Sequence, residues 1–204
     1  MMLYLNWANI ITLLAISFSI FSVYFSMSKN FFLASTMIIL AGIADLLDGF
    51  VARKLKRTAE EKLFGKELDS LADTIAFCIT PMIFWYAVFS WDNFITTLVI
   101  IFYNACGVYR LAYFNVHELK IQGNKKFYTG LPVTYAALIF PMLYTVYVLF
   151  NSLKIPYMLY HAPVLLVSFL FVSKVRILKP KGAAYIVFPL LAGLVILLTY
   201  LWSR

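Results

Sequence analysis

Residues 44–77 read ADLLDGFVARKLKRTAEEKLFGKELDSLADTIAF and contain four aspartates at the ends of two apolar segments. Asp45 and Asp48 are three residues apart, and Asp69 and Asp73 are four apart, so each pair shares one face of a helix. A carboxylate inside a membrane helix costs about 2.5–3.5 kcal/mol by insertion scales, which makes it a candidate functional group. Because four neighbouring carboxylates repel one another, the stretch predicts a cation held between two helices.

The residue types around these aspartates limit the choice of cation. Carboxylate oxygens are hard ligands that suit Mg²⁺ or Mn²⁺. Zinc is disfavoured because the stretch contains neither cysteine nor histidine. The alternative interpretation is that the aspartates cap helix ends and form ion pairs with Lys54 or Lys66. That alternative does not explain why both pairs have helical spacing.

The composition of the whole chain indicates a membrane protein. Of its 204 residues, 63% are hydrophobic and only 13% are charged, and the mean hydropathy is +0.87. An average soluble domain is about 45–50% apolar and about 25% charged. A soluble domain of this length could not bury so much apolar surface, so the excess is expected to face lipid.

The apolar segments predict an all-α, polytopic bundle of about seven membrane spans, with six or eight as alternatives. Each segment is close to the roughly 20 residues that cross a bilayer. We expect them to form a single domain over residues 1–204. The predicted spans are 8–27, 31–53, 67–90, 93–115, 131–150, 156–173 and 183–202.

The basic residues predict the orientation of the bundle. Most of the 17 lysines and arginines lie in the segments 53–66, 110–126 and 174–181, which share one side if seven spans alternate. The positive-inside rule then assigns these segments and the N-terminus to the cytoplasm. This accounts for the net charge of +8, so we expect no nucleic-acid partner.

Small residues and an arginine follow the first aspartate pair. Gly49 and Ala52 lie one turn apart on a helix and would leave a groove beside the carboxylates. Arg53, four residues after Gly49, could bind a phosphate through its planar guanidinium. Gly65 is either a turn residue or a point where the backbone approaches a ligand. Together with metal ions, these residues indicate phosphoryl-type transfer on a lipid at the cytoplasmic membrane boundary.

The order of these residues resembles the signature of the CDP-alcohol phosphatidyltransferases. The pattern D-x2-D-G-x2-A-R followed by G-x3-D-x3-D is complete over residues 45–73. The segment from Lys54 to Phe64 has eleven residues, where the family usually has about eight, and we expect it to be a longer cytoplasmic loop. Residues 9–12 (NIIT) are similar to the N-x-x-T of the family's first span.

Further motifs resemble the phosphatidylserine synthases of that family. Residues 64–73 (FGKELDSLAD) match their FG-x-x-LDSLAD form, and 110–115 (RLAYFN) are similar to their R-L-A-R-F-N, with Tyr113 in place of the second arginine. Residues 127–132 (FYTGLP) look like F-x-GLP with one extra residue, and 166–174 loosely resemble a late L-M-V-S…S-x-K segment.

The resemblance implies transfer of a phosphatidyl group from a CDP-lipid to the hydroxyl of L-serine, with release of CMP. It implies that Asp45, Asp48, Asp69 and Asp73 hold two divalent cations, Mg²⁺ or Mn²⁺. Asp69 and Asp73 would be catalytic, with Asp73 as general base for the acceptor hydroxyl. The donor would be CDP-diacylglycerol or an ether analogue, and the enzyme would be a homodimer in the cell membrane. The residues expected to line the CDP-lipid site are Asn9, Thr12, Gly49, Ala52, Arg53 and Gly65.

The acceptor is chosen by weaker signals than the donor. Serine carries a carboxylate and an ammonium. Arg110 is the first candidate to bind the carboxylate, and Asn115 could accept a hydrogen bond from the ammonium. Further candidates are Lys125, Lys126, Ser173 and Lys174. Glycerol 3-phosphate or inositol phosphate as acceptor remains an alternative. An ion or proton transporter is a remote alternative, because its acidic residues would be spread across the membrane depth.

Overall fold

A computed structural model of the chain describes residues 4–90, 93–117, 120–122, 125–150, 157–178 and 184–202. Within these ranges the chain is mostly helical, with a small three-stranded sheet and short 3₁₀ turns at Val133–Tyr135 and Tyr157–Tyr160. The helices are α1 Trp7–Met27, α2 Phe31–Lys54, α3 Ala59–Asp73, α4 Thr80–Phe89, α5 Phe94–Val116, α6 Ala136–Leu149, α7 His161–Val172 and α8 Ala184–Trp202.

Several of these helices have the length and composition of membrane spans. Four stretches are long and apolar enough to cross a membrane: α1, α2, the continuous run Ala59–Phe89, and α5. Shorter apolar helices occupy the three remaining predicted spans, over Val133–Leu149, His161–Val172 and Val187–Trp202. The prediction of an all-α chain with apolar, membrane-capable helices is therefore confirmed, whereas the count of seven spans remains a prediction.

The connection between α2 and α3 differs from the expected eleven-residue loop over 54–64, and that expectation is wrong. Only residues 55–58 separate the two helices. Thr58 begins α3 with a capping box: its hydroxyl accepts from the Glu61 N–H at 3.2 Å, and its own N–H donates to Glu61 Oε2 at 2.7 Å. Because these bonds satisfy N–H groups that the first turn leaves unpaired, residues 59–64 form helix.

A π-helical segment, Thr74–Ile79, joins α3 to α4 directly after Asp73. Pro81 lies two residues beyond it and has no N–H, so the Phe77 carbonyl loses its usual donor four residues later. The buried Tyr103 hydroxyl of α5 donates to that carbonyl instead, at 2.9 Å. This bond attaches α5 to the chain just beyond the second aspartate pair.

A small antiparallel sheet, which the sequence did not predict, connects the ends of α5 and α7. Its strands are β1 Lys120–Gln122, β2 Lys125–Thr129 and β3 Arg176–Leu178, in the order β1-β2-β3. Gly130 follows β2 with φ +78°, and a Cβ there would collide with the Phe171 carbonyl oxygen. The turn therefore requires glycine.

The contact of α5 with the π-helical segment leaves no space at Gly107. A Cβ on Gly107 would lie 2.6 Å from Cys78 Sγ, and both residues are buried. We expect Gly107→Ala to destabilise the protein by about 1–3 kcal/mol because the two helices must separate. The thermal unfolding midpoint in detergent measures this effect.

Gly193 in α8 provides the matched control, because a Cβ built on it meets nothing within 4 Å. Gly193→Ala should unfold at the wild-type temperature or slightly above it, since alanine favours the helix. Equal unfolding temperatures for the two variants would contradict the close contact at Gly107.

Candidate metal centre and adjoining cavity

The four aspartates of the sequence pattern meet at one place between α2 and α3. Carboxylate oxygens of Asp45, Asp48 and Asp69 lie within 4.8 Å of one another. The carboxyl groups of Asp45 and Asp73 are in hydrogen-bond contact. Asp48 and Asp73 are only 5% and 9% exposed. The two aspartate pairs, each on one face of its helix, therefore form one cluster.

This cluster has the chemistry of a divalent metal site. Like charges at such distances in a partly buried setting repel strongly unless a cation lies between them. Oxygen-only ligand sets are preferred by Mg²⁺ and Mn²⁺. The group Asp45, Asp48 and Asp69 could therefore hold a metal ion, with Asp73 adjoining it.

Thr12 of α1 fixes the orientation of one of the candidate ligands. Its hydroxyl donates to Asp48 Oδ2 at 2.5 Å and lies 3.1 Å from the Ala8 carbonyl. Both Thr12 and Asp48 are buried. Thr12 does not line the cavity described below. Its contact with the aspartate cluster is the hydrogen bond to Asp48, and its assignment to the CDP-lipid site stays a prediction.

A cavity of about 310 Å³ opens beside the aspartates. It is lined by all four carboxylates and by an apolar wall from α2, α6, α8 and the 3₁₀ turn at Val133–Tyr135. The apolar wall includes Ile39, Ile43, Val133, Ala137, Leu138, Phe188 and Ala192. Such a cavity can receive a ligand that has both a charged group and a hydrocarbon portion.

Gly49 and Arg53 lie together on the cavity wall. A Cβ built on Gly49 would be 3.6 Å from Arg53 Nη1, so the guanidinium folds back over the glycine. Arg53 is exposed and can reach a ligand at the cavity mouth. Ala52 is half-buried and does not line the cavity.

Asn9 and Gly65 lie close to each other, and neither residue lines the cavity. Asn9 donates from Nδ2 to the Tyr4 carbonyl at 2.6 Å. A Cβ built on Gly65 would lie 3.3 Å from Asn9 Oδ1. The side chains that approach Gly65 thus come from α1 and from the α2–α3 connection, and its approach to a ligand stays a prediction.

Arg110 of α5 is buried on the cavity wall and is only 6% exposed. Its guanidinium carbon lies 4.9 Å from the Phe114 ring centroid and 5.9 Å from that of Tyr128. Arg110 Nε is buried and makes no hydrogen bond within the described part of the chain. The carboxyl of Asp73 attracts it electrostatically. A buried cation with an unused donor is suited to an anionic ligand.

Asn115 is held at the cavity by contacts with α3. Its Nδ2 donates to Ser70 Oγ at 2.7 Å, and its carbonyl accepts from Lys66 Nζ at 2.6 Å. All three residues line the cavity. These two bonds fix the position of Asn115 on the cavity wall.

The remaining acceptor candidates lie away from the cavity or outside the described side chains. Ser173 donates to the Leu170 carbonyl at 2.9 Å and thus closes the end of α7. Lys174 is exposed and does not line the cavity. Lys125 and Lys126 belong to β2, where Lys126 pairs with Ile121, and their side chains lie outside the described part of the structure.

Sequence reasoning missed several residues of the cavity wall. Ser70 was given no role, and Lys66 was considered only as an ion-pair partner of the aspartates. The position of both residues on α3, near the face of Asp69 and Asp73, was a usable signal. Tyr128 and Phe188 reach the cavity only through the sheet and α8. No local pattern distinguishes them from the other aromatic residues of the chain.

Comparison with known proteins identifies relatives over most of the chain. A sequence model of the CDP-alcohol phosphatidyltransferase family matches residues 5–175. The archaetidylserine synthase of Methanothermobacter thermautotrophicus is 36% identical over 129 residues, which is 63% of this chain and 53% of the relative. The CDP-diacylglycerol–serine O-phosphatidyltransferase of Saccharomyces cerevisiae is 36% identical over 119 residues, or 55% of this chain and 42% of that protein.

A protein of the latter name from Methanocaldococcus jannaschii is 35% identical over 140 residues, 67% of this chain and 56% of the relative. The chain thus spans about half the length of the curated relatives it matches.

Proposed function

Because the chain belongs to the CDP-alcohol phosphatidyltransferase family, we propose that it transfers a phosphatidyl-type group from a CDP-lipid to L-serine and releases CMP. The observation that carries this proposal is the cavity that joins four aspartates to an apolar wall. A nucleotide-linked lipid has the matching pair of chemistries, a charged pyrophosphate and hydrocarbon tails. The relatives named for serine transfer support the choice of acceptor.

The aspartate cluster would hold the cofactor of this reaction. Asp45, Asp48, Asp69 and Asp73 are the residues that would hold two divalent cations, Mg²⁺ or Mn²⁺. When bound, such cations neutralise charge on the pyrophosphate and on the departing phosphate. Arg53, Gly49 and Ala52 would contact the donor beside them, together with Asn9, Thr12 and Gly65.

Asp73 is the proposed general base. A serine hydroxyl is a weak nucleophile until its proton is removed. The Asp73 carboxylate would accept that proton while the serine oxygen forms a bond to the phosphorus that carries the lipid. The bond from this phosphorus to the bridging oxygen breaks at the same time, and CMP departs with that oxygen. Asp69, one turn earlier on α3, would take part through the metal centre.

The acceptor would lie between α3 and α5. Arg110, buried and attracted to Asp73, would bind the serine carboxylate, and Asn115 Oδ1 would accept from the ammonium. This brings the hydroxyl of a bound serine toward Asp73. Lys125, Lys126, Ser173 and Lys174 are secondary candidates for this site.

The arrangement in the cell follows from the charge pattern. We propose one domain over residues 1–204 with seven spans, embedded in the cell membrane among its lipids. The N-terminus and the active site would face the cytoplasm, where serine is available. The homodimer expected from the family is part of the same proposal.

A CMP-release assay with a panel of acceptors tests this function. The purified protein in detergent should release CMP from CDP-diacylglycerol when serine and Mg²⁺ or Mn²⁺ are present. With glycerol 3-phosphate or inositol phosphate as acceptor, it should release at most traces of CMP. CMP release with one of these phosphorylated acceptors, and none with serine, would contradict serine as the acceptor. The CDP-lipid would still be the donor.

Thr12→Val provides a test of the metal centre. Loss of the hydroxyl leaves Asp48 without its oriented donor, so the metal concentration for half-maximal activity should rise about 10- to 100-fold. Thr12→Ser should restore most of the affinity. Ser17→Ala is the control, because Ser17 is on the same helix but is exposed, and its hydroxyl donates to the Leu13 carbonyl. An unchanged metal requirement in Thr12→Val would contradict this role.

A further inference from the structure

The connection between α2 and α3 holds a second arginine that the signature does not assign. Arg57 lies one residue before the cap residue Thr58 and is half-buried. Its neighbour Lys56 is exposed. Lys56 therefore faces solvent, whereas Arg57 is partly covered by the protein.

Contacts with the N-terminal segment hold this connection in place. The Tyr4 hydroxyl donates to Glu60 Oε2 at 3.0 Å, and the Tyr4 ring stacks on Phe64 with 5.2 Å between centroids. The Tyr4 carbonyl accepts from Asn9 Nδ2. The first turns of α3 are thereby attached to the start of α1, and Arg57 is directed between the two helices.

The guanidinium of Arg57 lies beside Gly65, whose other close neighbour is Asn9. Its Nη1 is 3.0 Å from a Cβ built on Gly65, so any side chain at position 65 would press on it. Arg57 Nε is buried and forms no hydrogen bond to any described residue. The guanidinium attracts the carboxylate of Asp48, but the two form no ion pair. A buried N–H without a partner is unfavourable, so this donor is suited to a ligand oxygen.

The buried Arg110 and the half-buried Arg57 interact with different aspartates. Arg110 is attracted to Asp73, and Arg57 is attracted to Asp48. In phosphoryl transfer the attacking and leaving oxygens lie roughly in line across the phosphorus. If the acceptor binds beside Asp73, the leaving group belongs on the side of Asp48. A guanidinium fork suits the non-bridging oxygens of a phosphate.

We propose that Arg57 binds the phosphate that leaves with CMP, and so determines affinity for the nucleotide part of the donor. This inference rests on the proposed function. The Arg57 guanidinium stabilises the negative charge that develops on the departing phosphate oxygen by hydrogen bonding. No proton is transferred to or from the guanidinium. Arg53, at the cavity mouth, contacts the donor from another direction.

Binding of CMP provides the direct test. CMP is titrated by calorimetry into the protein in detergent with Mg²⁺ present, for the wild type, Arg57→Ala, Arg57→Lys and the control Lys56→Ala. We expect Arg57→Ala to weaken CMP binding roughly 10- to 100-fold, the range of one charge-assisted hydrogen bond. Arg57→Lys keeps the charge but not the guanidinium fork, so its CMP affinity should lie between those of Arg57→Ala and the wild type. The CMP affinity of Lys56→Ala should equal that of the wild type.

Steady-state kinetics separate this role from a structural one. Arg57→Ala should raise KM for CDP-diacylglycerol by a similar factor and change KM for serine less than twofold. Wild-type CMP affinity in Arg57→Ala and in Arg57→Lys would overturn the inference, as would an equal rise in both KM values. If Arg57→Ala does not fold, Arg57→Lys decides by the same two measurements.

The CMP titration does not depend on turnover. If the wild type binds CMP but transfers nothing to serine, the proposed function fails while the titration still tests Arg57. If the wild type transfers to serine and Arg57→Lys binds CMP normally, only the role of Arg57 fails.

Discussion

Asp73→Asn is expected to lower kcat by about 10²- to 10⁴-fold while changing affinity for the CDP-lipid far less. The amide has almost the shape of the carboxylate but cannot accept the proton of the serine hydroxyl. Asp73 is 9% exposed and lies in hydrogen-bond contact with Asp45. Its replacement therefore removes a base from the interior of the cluster, and CMP release under saturating substrates measures the loss.

Loss of the general base in Asp73→Asn must be distinguished from weaker metal binding by the variant. Repeating the assay over a wide range of Mg²⁺ concentration achieves this, because a pure ligand defect would be relieved at high metal. Glu67→Gln is the matched control, since Glu67 is an exposed acid on the same helix and should tolerate the change. Turnover near the wild-type rate in Asp73→Asn, at any metal concentration, would refute the assignment of Asp73 as base.

Arg110→Met is expected to raise KM for serine about 10- to 100-fold, because the carboxylate loses a charge-assisted hydrogen bond. Methionine keeps an unbranched apolar stem between Phe114 and Tyr128, so packing is largely preserved. KM for the CDP-lipid should remain close to the wild-type value. Arg110→Lys should recover part of the affinity, since a point charge replaces the planar fork.

Lys54→Met is the control for this substitution. Lys54 also places its cation over an aromatic ring, with Nζ 4.1 Å from the Phe50 centroid, but it is exposed and outside the cavity. Its replacement should leave both KM values unchanged. A normal KM for serine in Arg110→Met would show that the acceptor carboxylate binds elsewhere.

The positions of the helices and of the four aspartates were within reach of sequence reasoning. Hydropathy sets where a chain can cross lipid, and the predicted spans 8–27, 31–53 and 93–115 agree with α1, α2 and α5 within about one residue. The spacing of Asp45 with Asp48 and of Asp69 with Asp73 is a property of the helix itself, so their shared faces followed directly.

The connection after α2 was misread although its signal was present. Thr58 and Glu61 have the spacing of a capping box, yet the density of basic residues favoured a loop. The small sheet had no such signal, because β1 and β3 have three residues each and exist only through pairing across the ends of α5 and α7.

The details of the site depend on tertiary contacts that no local pattern reveals. Thr12 reaches Asp48 across 36 positions of sequence, and Asn115 reaches Ser70 across 45. The burial of Arg57 follows from the attachment of Tyr4 to Glu60 and Phe64, which the sequence alone does not indicate. Residue types can be assigned from sequence, but their orientation requires the packed helices.

The most direct test of the central claim is incorporation of labelled serine into lipid by the purified protein. With CDP-diacylglycerol and Mg²⁺ or Mn²⁺, label extracted into organic solvent should equal the CMP released, mole for mole. Both products should vanish with a chelator and in Asp69→Asn. CMP release without label in the lipid, or equal incorporation with the metal removed, would contradict a metal-dependent transfer to serine at this cluster.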